Sequence, residues 1–133
     1  MSENLDLVRS IFADWERGDW GQSDNWMDPQ MELVFADGPE PQTFTGRDQI
    51  RSGSREFLRA WSGYTVVADE YRELSAGRIL VLTHATGLGR ASGVVLSNSD
   101  QGATVVDVAG GKVTKIDMYF DRDHAFADLG LEE

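Results

Sequence analysis

Glu3-Asn4-Leu5-Asp6-Leu7-Val8-Arg9-Ser10-Ile11-Phe12-Ala13-Asp14-Trp15-Glu16-Arg17 is the stretch on which the fold turns. Leu5, Val8, Phe12 and Trp15 recur at three- and four-residue steps, and Leu7 and Ile11 widen that stripe. The spacing predicts a helix over residues 3–17 with one apolar face. Ser2 or Asn4 can cap its start, and Gly18 stands where a left-handed stop belongs. Such a face must be buried, so the rest of the chain has to supply its partner surface.

Working outward, a short helical turn is read from Ser23 to Met27, with Trp26 turned inward, until Pro29 forces Asp28 out of helical space. Met31–Ala36 reads as a strand interrupted by Glu32, and 37–41 as loop. A further helix starts near Thr45-Gly46 and carries Ile50, Phe57, Leu58 and Trp61 on one side. Gly53 weakens it intrinsically, so packing must hold it. From Tyr64 the pattern turns to β. Tyr64–Leu74 and Arg78–Leu88 flank the turn Ser75-Ala76-Gly77, and Val94–Ser97 and Ala103–Ala109 flank the polar stretch Asn98–Gly102. Gly110-Gly111 leads into Lys112–Asp121, and a short helix runs from Arg122 to Leu129 with Asp121 as its N-cap. Helices first and hairpin-linked strands afterwards define an α+β class: one domain over 1–133, its mostly antiparallel sheet receiving the first helix in its mouth.

At 133 residues there is room for one core. Hydrophobic residues make up 41% and charged residues 26%, a globular balance. The net charge of −11 is spread along the chain, which disfavours phosphate backbones and anionic membranes, so neither nucleic acid nor membrane is expected as a partner. With no long apolar run and an acidic start, a cytoplasmic protein is expected. There is no cysteine and there are two histidines, His84 and His124. No transition metal is therefore expected, although acidic side chains could hold a loose Ca²⁺ or Mg²⁺.

Four segments in order carry a family resemblance: Leu7–Trp15 with Arg17-Gly18-Asp19; Asp37–Pro41 leading to Thr45-Gly46-Arg47-Asp48 and Ile50; Gly87–Gly93; and Gly110–Val113, Tyr119–Arg122 and Ala125 to Leu131. Together they resemble SnoaL-like proteins of the NTF2-like superfamily, over nearly the whole chain. The resemblance implies a cone of curved, mostly antiparallel sheet wrapped around a long N-terminal helix, with an apolar pocket at the wide end. It also implies, as in many members, dimers through the outer sheet face. Apolar runs at Ile79–Leu82, Val94–Leu96 and Val105-Val106 agree with a covered outer face, and helices are expected to cover the concave face alone, so a homodimer is expected. Ser97–Gln101 is longer than the usual family spacing, which leaves the register over 97–102 open.

The fold hosts isomerases, cyclases, epoxide hydrolases and non-enzymes, so function has to come from the site. By rough alignment, the ketosteroid isomerase base position falls at Val34, its tyrosine position at Ile11 and its acid position near Ala103 or Thr104. None of those groups is present. One aspartate of the limonene epoxide hydrolase site matches Met118, and its Arg-x-Asp pair falls near Thr83–Thr86, which reads Thr-His-Ala-Thr. That set is missing too. Two titratable residues then stand out in apolar strands. Glu32 reads either as a desolvated, pocket-facing base or as a strand residue reaching solvent, and His84 either as its proton partner or as a satisfied core histidine. By resemblance the phase of Glu32 and Val34 faces the cavity. The expected pocket comprises Phe12, Trp15, Trp26, Val34, Trp61, Met118 and Tyr119, whose aromatics could equally be plain core. The glycines of Gly87-Leu88-Gly89 fit a bend or bulge better than a nucleotide loop, because a strand and no helix follows. The expected ligand is a small, largely apolar organic molecule, isomerised, cyclised or hydrolysed without a cofactor; the alternative is a non-catalytic binding or dimerisation module.

Overall fold

The stripe of the first helix is buried as its spacing requires: α1, Glu3–Glu16, buries Val8, Ile11 and Phe12. The protein was analysed as a computed structural model that describes residues 3–17, 26–36, 42–59, 61–75, 77–89, 95–96 and 101–130. After α1 come β1 (Met27–Phe35), β2 (Gln42–Thr45), α2 (Arg47–Arg59), β3 (Trp61–Ser75) and β4 (Arg78–Gly89). β5 (Val95–Leu96), β6 (Gln101–Ala109), β7 (Lys112–Tyr119) and α3 (Arg122–Leu129) follow. The strands form one curved sheet in the order β2-β1-β7-β6-β4-β3, with β5 paired to β4. Every pairing is antiparallel except β1 with β7.

Alternation gives this sheet two unlike faces. The inner face packs on α1 and α2: Met31, Leu33 and Phe35 of β1 join Val8, Ile11, Phe12 and Ile50, together with Val81, Val106 and Ile116 from the other strands. The outer face buries Leu80, Leu82, Ala103 and Val105 against Ala125 and Phe126 of α3. That corrects the expectation that helices cover the concave face alone. α3 lies across the outer face of β4 and β6 and buries the apolar residues there that had argued for a dimer. Asp121 caps α3 as expected, its Oδ1 accepting from Asp123 N at 3.0 Å, and Gly130 ends it at φ 69°.

Trp61, read on the helix with Ile50, instead opens β3, because α2 ends at Arg59 and the strand starts three residues before Tyr64. Two further elements differ from the sequence reading. β1 begins at Met27, inside the stretch read as a helical turn, of which Ser23–Asn25 lie outside the described residues. Tertiary bonds capture the chain there: Val113 N donates to Trp26 O at 2.7 Å and Arg47 Nη2 to Met27 O at 2.6 Å. Pro29, lacking an N–H, is exposed where the β1–β7 register shifts between Met27 and Glu32. The second difference is β2, a mostly polar edge strand with no apolar alternation to announce it. Gly46, at φ 83°, turns from β2 into α2; its N–H donates to Met31 O, and Gln49 Oε1 accepts from Thr45 N.

Gly53 shows what holds α2. A Cβ on Gly53 would lie 2.5 Å from Cε1 of Phe44, so the helix rests directly on that ring. At the β3–β4 turn, Gly77 (φ 84°) accepts from Val108 N at 2.7 Å, which ties the hairpin to β6. The register irregularity between Ser62 and Thr65 falls opposite Gly87, in keeping with a bulge at those glycines. β6 is in register from Gln101 (opposite His84) onward, whereas Ser97–Asp100 and the loop read over 37–41 lie outside the described residues.

Candidate functional site

Across the inner face, β-pairing sets side chains in rows. Phe35 lies beside Met118, Met118 beside Thr104, Thr104 beside Val81 and Val81 beside Tyr71. The next row toward the β4–β5 end pairs Gly102 with Thr83 and Thr83 with Ala68. Thr104 and Thr83 are 2% and 4% exposed, the buried polar residues of an otherwise apolar wall. They sit on a diagonal of the β4–β6 ladder, at most about 8 Å apart. Neither hydroxyl forms a hydrogen bond within the described residues, and Arg47 Nε is the one polar side-chain atom there that is both sealed and unbonded.

Gly102 faces Thr83 across the ladder and lets it approach closely. A Cβ on Gly102 would lie 3.2 Å from Thr83 Oγ1 and 2.7 Å from the Tyr119 carbonyl oxygen, which no side chain tolerates. Beyond the Tyr71 end of the first row the inner face is aromatic. Phe12 meets Trp15 edge-on at 4.8 Å and Tyr71 at 6.2 Å, and Trp15 meets Trp26 at 6.4 Å. Arg9 lies 4.9 Å over the Tyr71 ring. Burial pushes the Tyr71 phenol above its ordinary value, Glu16 adds to the rise and Arg9 opposes it.

The two proposed proton carriers do not meet this wall. Glu32 is exposed, in register with Thr45 and Lys115, on the outer phase of β1. The inward phase is that of Met31, Leu33 and Phe35, because α1 and α2 pack there. His84 shares the outer phase of β4 with Leu80 and Leu82. Its Nδ1 lies 2.8 and 2.9 Å from the two oxygens of Asp69, a carboxylate aimed there by a bulge in β3 between Ala68 and Glu70. Arg122, at the start of α3, stands alongside: Nη2 donates to Thr83 O at 3.1 Å, Nε donates to Gly102 O at 3.2 Å, and Asp69 Oδ2 is 3.9 Å away. Three strand spacings separate β1 from β4, roughly 14 Å across the sheet. Glu32 and His84 form no pair, and the reading of His84 as a satisfied residue is the one its Asp69 contact supports.

Among the expected pocket residues, Phe12, Trp15 and Trp26 gather at the aromatic end and Met118 lies beside Thr104, all on the inner side. Val34 and Tyr119 occupy the outer phase, Val34 beside Asp117 and Tyr119 in the cluster under α3, where its hydroxyl donates to Asp128 Oδ2 at 2.9 Å. The Trp61 side chain lies outside the described residues. Asp117 is half-buried on the outer face; desolvation lifts its carboxyl above the ordinary 3.8, Lys115 and Arg78 opposing and Asp107 and Glu32 adding. The threonines were missed because threonine is an ordinary strand former. Their phase, shared with Ile79 and Val81 on β4 and with Val106 and Val108 on β6, was the available signal.

Among the described residues no helix is long and apolar enough to cross a membrane, and no three His, Asp or Glu side chains cluster as metal ligands would.

A curved sheet holding a long helix against its inner face, with a second helix closing one side, is the architecture of the NTF2-like and cystatin-like proteins. Residues 8–116 match the SnoaL-like domain family, and the chain belongs to it. An NTF2-like protein of unknown function from Burkholderia pseudomallei is 21% identical, with a TM-score of 0.78 over 96% of this chain and 97% of that one. TerC co-crystallised with polyporic acid is 20% identical, with a TM-score of 0.75 over 96% and 98%. A putative SnoaL-like polyketide cyclase from Jannaschia is 19% identical, with a TM-score of 0.65 over 88% and 84%. At these identities the likeness shows the fold. None of the curated proteins compared with the chain matches it significantly.

Proposed function

We propose that the protein binds a small, largely apolar organic molecule against the inner face, between the aromatic end and the Thr83–Thr104 rows. The observation that carries this reading is the wall itself. Met118, Phe35, Val81 and their neighbours are apolar, and in the described rows Tyr71 is the one ionisable side chain. Apolar walls with a few placed polar groups are what small-molecule sites use. The relatives point the same way, TerC having been crystallised with polyporic acid and the Jannaschia protein being described as a polyketide cyclase.

Between catalysis and binding, the positions of Glu32 and His84 favour binding. A proton shuttle needs both groups within reach of the bound molecule, and both lie on the far side of the sheet. The reading includes a cytoplasmic homodimer formed through the part of the outer face that α3 leaves open, around Val34, Thr43 and Asp117.

A charge placed on either side of the sheet tests it. Met118→Glu puts a carboxylate beside Thr104, whereas Ala127→Glu puts one on the exposed surface of α3, across the sheet. Binding of a neutral aromatic probe, followed by tryptophan fluorescence, should be lost in the first variant and kept in the second. Equal behaviour of the two variants would remove the inner face as the site, and turnover of the recovered ligand would restore the catalytic reading.

A further inference from the structure

The geometry points to Thr83 and Thr104 as the residues that choose the ligand: together they form a subsite for a neutral carbonyl or phenolic oxygen. This rests on the pocket reading above and adds the chemical class of the molecule. Three observations converge. Both side chains are more than nine-tenths buried, at 4% and 2% exposure, and neither hydroxyl is hydrogen-bonded within the described residues. Buried polar groups in folded proteins almost always have partners, so an unpaired diagonal couple marks a place where a partner is supplied from outside. Gly102, facing Thr83 across the ladder, withholds the Cβ that would crowd Thr83 Oγ1.

The chemistry of the subsite follows from what a hydroxyl can do. Each threonine offers one donor and two acceptor lone pairs and no charge. Two such groups satisfy a ketone or quinone oxygen by donating, and a phenol by donating and accepting. A carboxylate is a poor fit. The strand residues in register with the threonines are Met118, Val81, Gly102 and Ala68, and none brings a cation. The nearest described guanidinium, that of Arg122, donates from the outer side to the carbonyl oxygens of Thr83 and Gly102. An ion buried without a counter-charge is strongly disfavoured, so a charged head group is excluded by the wall that welcomes a neutral one.

Three naphthalenes of nearly one shape test this: acetylnaphthalene (a neutral ketone), isopropenylnaphthalene (its hydrocarbon isostere) and naphthoate. Affinities are measured by calorimetry at neutral pH on the wild type and on Thr83→Val, Thr104→Val and the two serine replacements. The ketone should bind the wild type roughly five-fold more tightly than the hydrocarbon, and naphthoate far more weakly than either. Each valine variant should erase most of the ketone's advantage while leaving the hydrocarbon's affinity intact, and the serine variants should retain it. If the hydrocarbon binds but the ketone-to-hydrocarbon ratio is the same in all five proteins, the subsite is refuted while the pocket stands. Tight naphthoate binding refutes the selection for neutrality. If none of the three binds the folded wild type, the pocket reading falls and the subsite falls with it.

Discussion

The ring of Phe44 fills the space that a Cβ on Gly53 would need, with Cε1, Cζ and Cδ1 at 2.5, 2.6 and 2.7 Å from that position. A glycine inside a helix sacrifices about 1 kcal/mol of propensity relative to alanine. Here it lets α2 settle onto an edge strand, and Phe44 in turn meets Phe35 edge-on at 6.0 Å.

Gly53→Ala should therefore destabilise the fold by about 1–3 kcal/mol, the overpacking outweighing the gain in propensity. Combined with Phe44→Leu, the same alanine should cost less or become favourable. A urea double-mutant cycle reads the coupling, and strict additivity of the two changes would show that the ring is free to move aside.

Asp117→Asn should change the pH profile of stability. Desolvation raises the carboxyl above 3.8, so the folded state keeps its proton to higher pH than the unfolded chain does. With more protons bound when folded, stability contributed by this group is present below the ordinary value and lost as pH rises through the raised one. The asparagine variant lacks that loss. Its stability relative to wild type should rise between about pH 3.5 and neutrality, read from urea midpoints at both ends. A constant difference would place Asp117 in a solvated setting.

Phe126→Ala should loosen α3 from the outer face. Phe126 is 5% exposed, and Arg72 lies 5.9 Å over its ring. The loss should be about 3 kcal/mol, as for other buried aromatics. Asp121→Ala, which removes the cap on Asp123 N, should cost about 1 kcal/mol. If hydrogen exchange in α3 is unchanged in both variants, the helix is held by something other than these contacts.

Glu32→Gln and His84→Ala should leave binding of a neutral aromatic probe unaltered, since both side chains are on the outer phase. By NMR, the His84 ring resonances should move in Asp69→Asn and stay in place in Glu32→Gln. Loss of binding in either of the first two variants would return them to the site.

Much of the fold was legible where periodicity was long. The α1 stripe, the turn at Gly77, the later strands and the Asp121 cap all follow from local rules that tertiary packing had no reason to override. β2 was not legible because Gln42-Thr43-Phe44-Thr45 is a short, mostly exposed edge strand, and strand length at Met27 was decided by distant partners. The site was less readable still. Alternation separates Glu32 from Leu33 but cannot say which phase meets α1; the family resemblance turned Glu32 inward, and His84 with it, whereas both lie on the outer phase of their strands. Thr104 was invisible for the opposite reason, since nothing in its neighbours distinguishes a hydroxyl left unpaired from one that is bonded.

The single parallel pairing, Leu33 beside Ile116 and Phe35 beside Met118, also governs how the protein comes into being. β1 is made well before β7, the strand that covers its free edge, with β2, α2 and four further strands between them. Until then Met31, Leu33 and Phe35 have α1, β2 and α2 for company and an open ladder on one side. Closure waits on long-range contacts whose entropic cost falls due before they return anything, so the nascent chain should fold late and all at once rather than segment by segment. Ribosome-bound chains that stop short of Lys112 should accordingly be protease-sensitive throughout, with resistance arriving abruptly once β7 has cleared the exit tunnel.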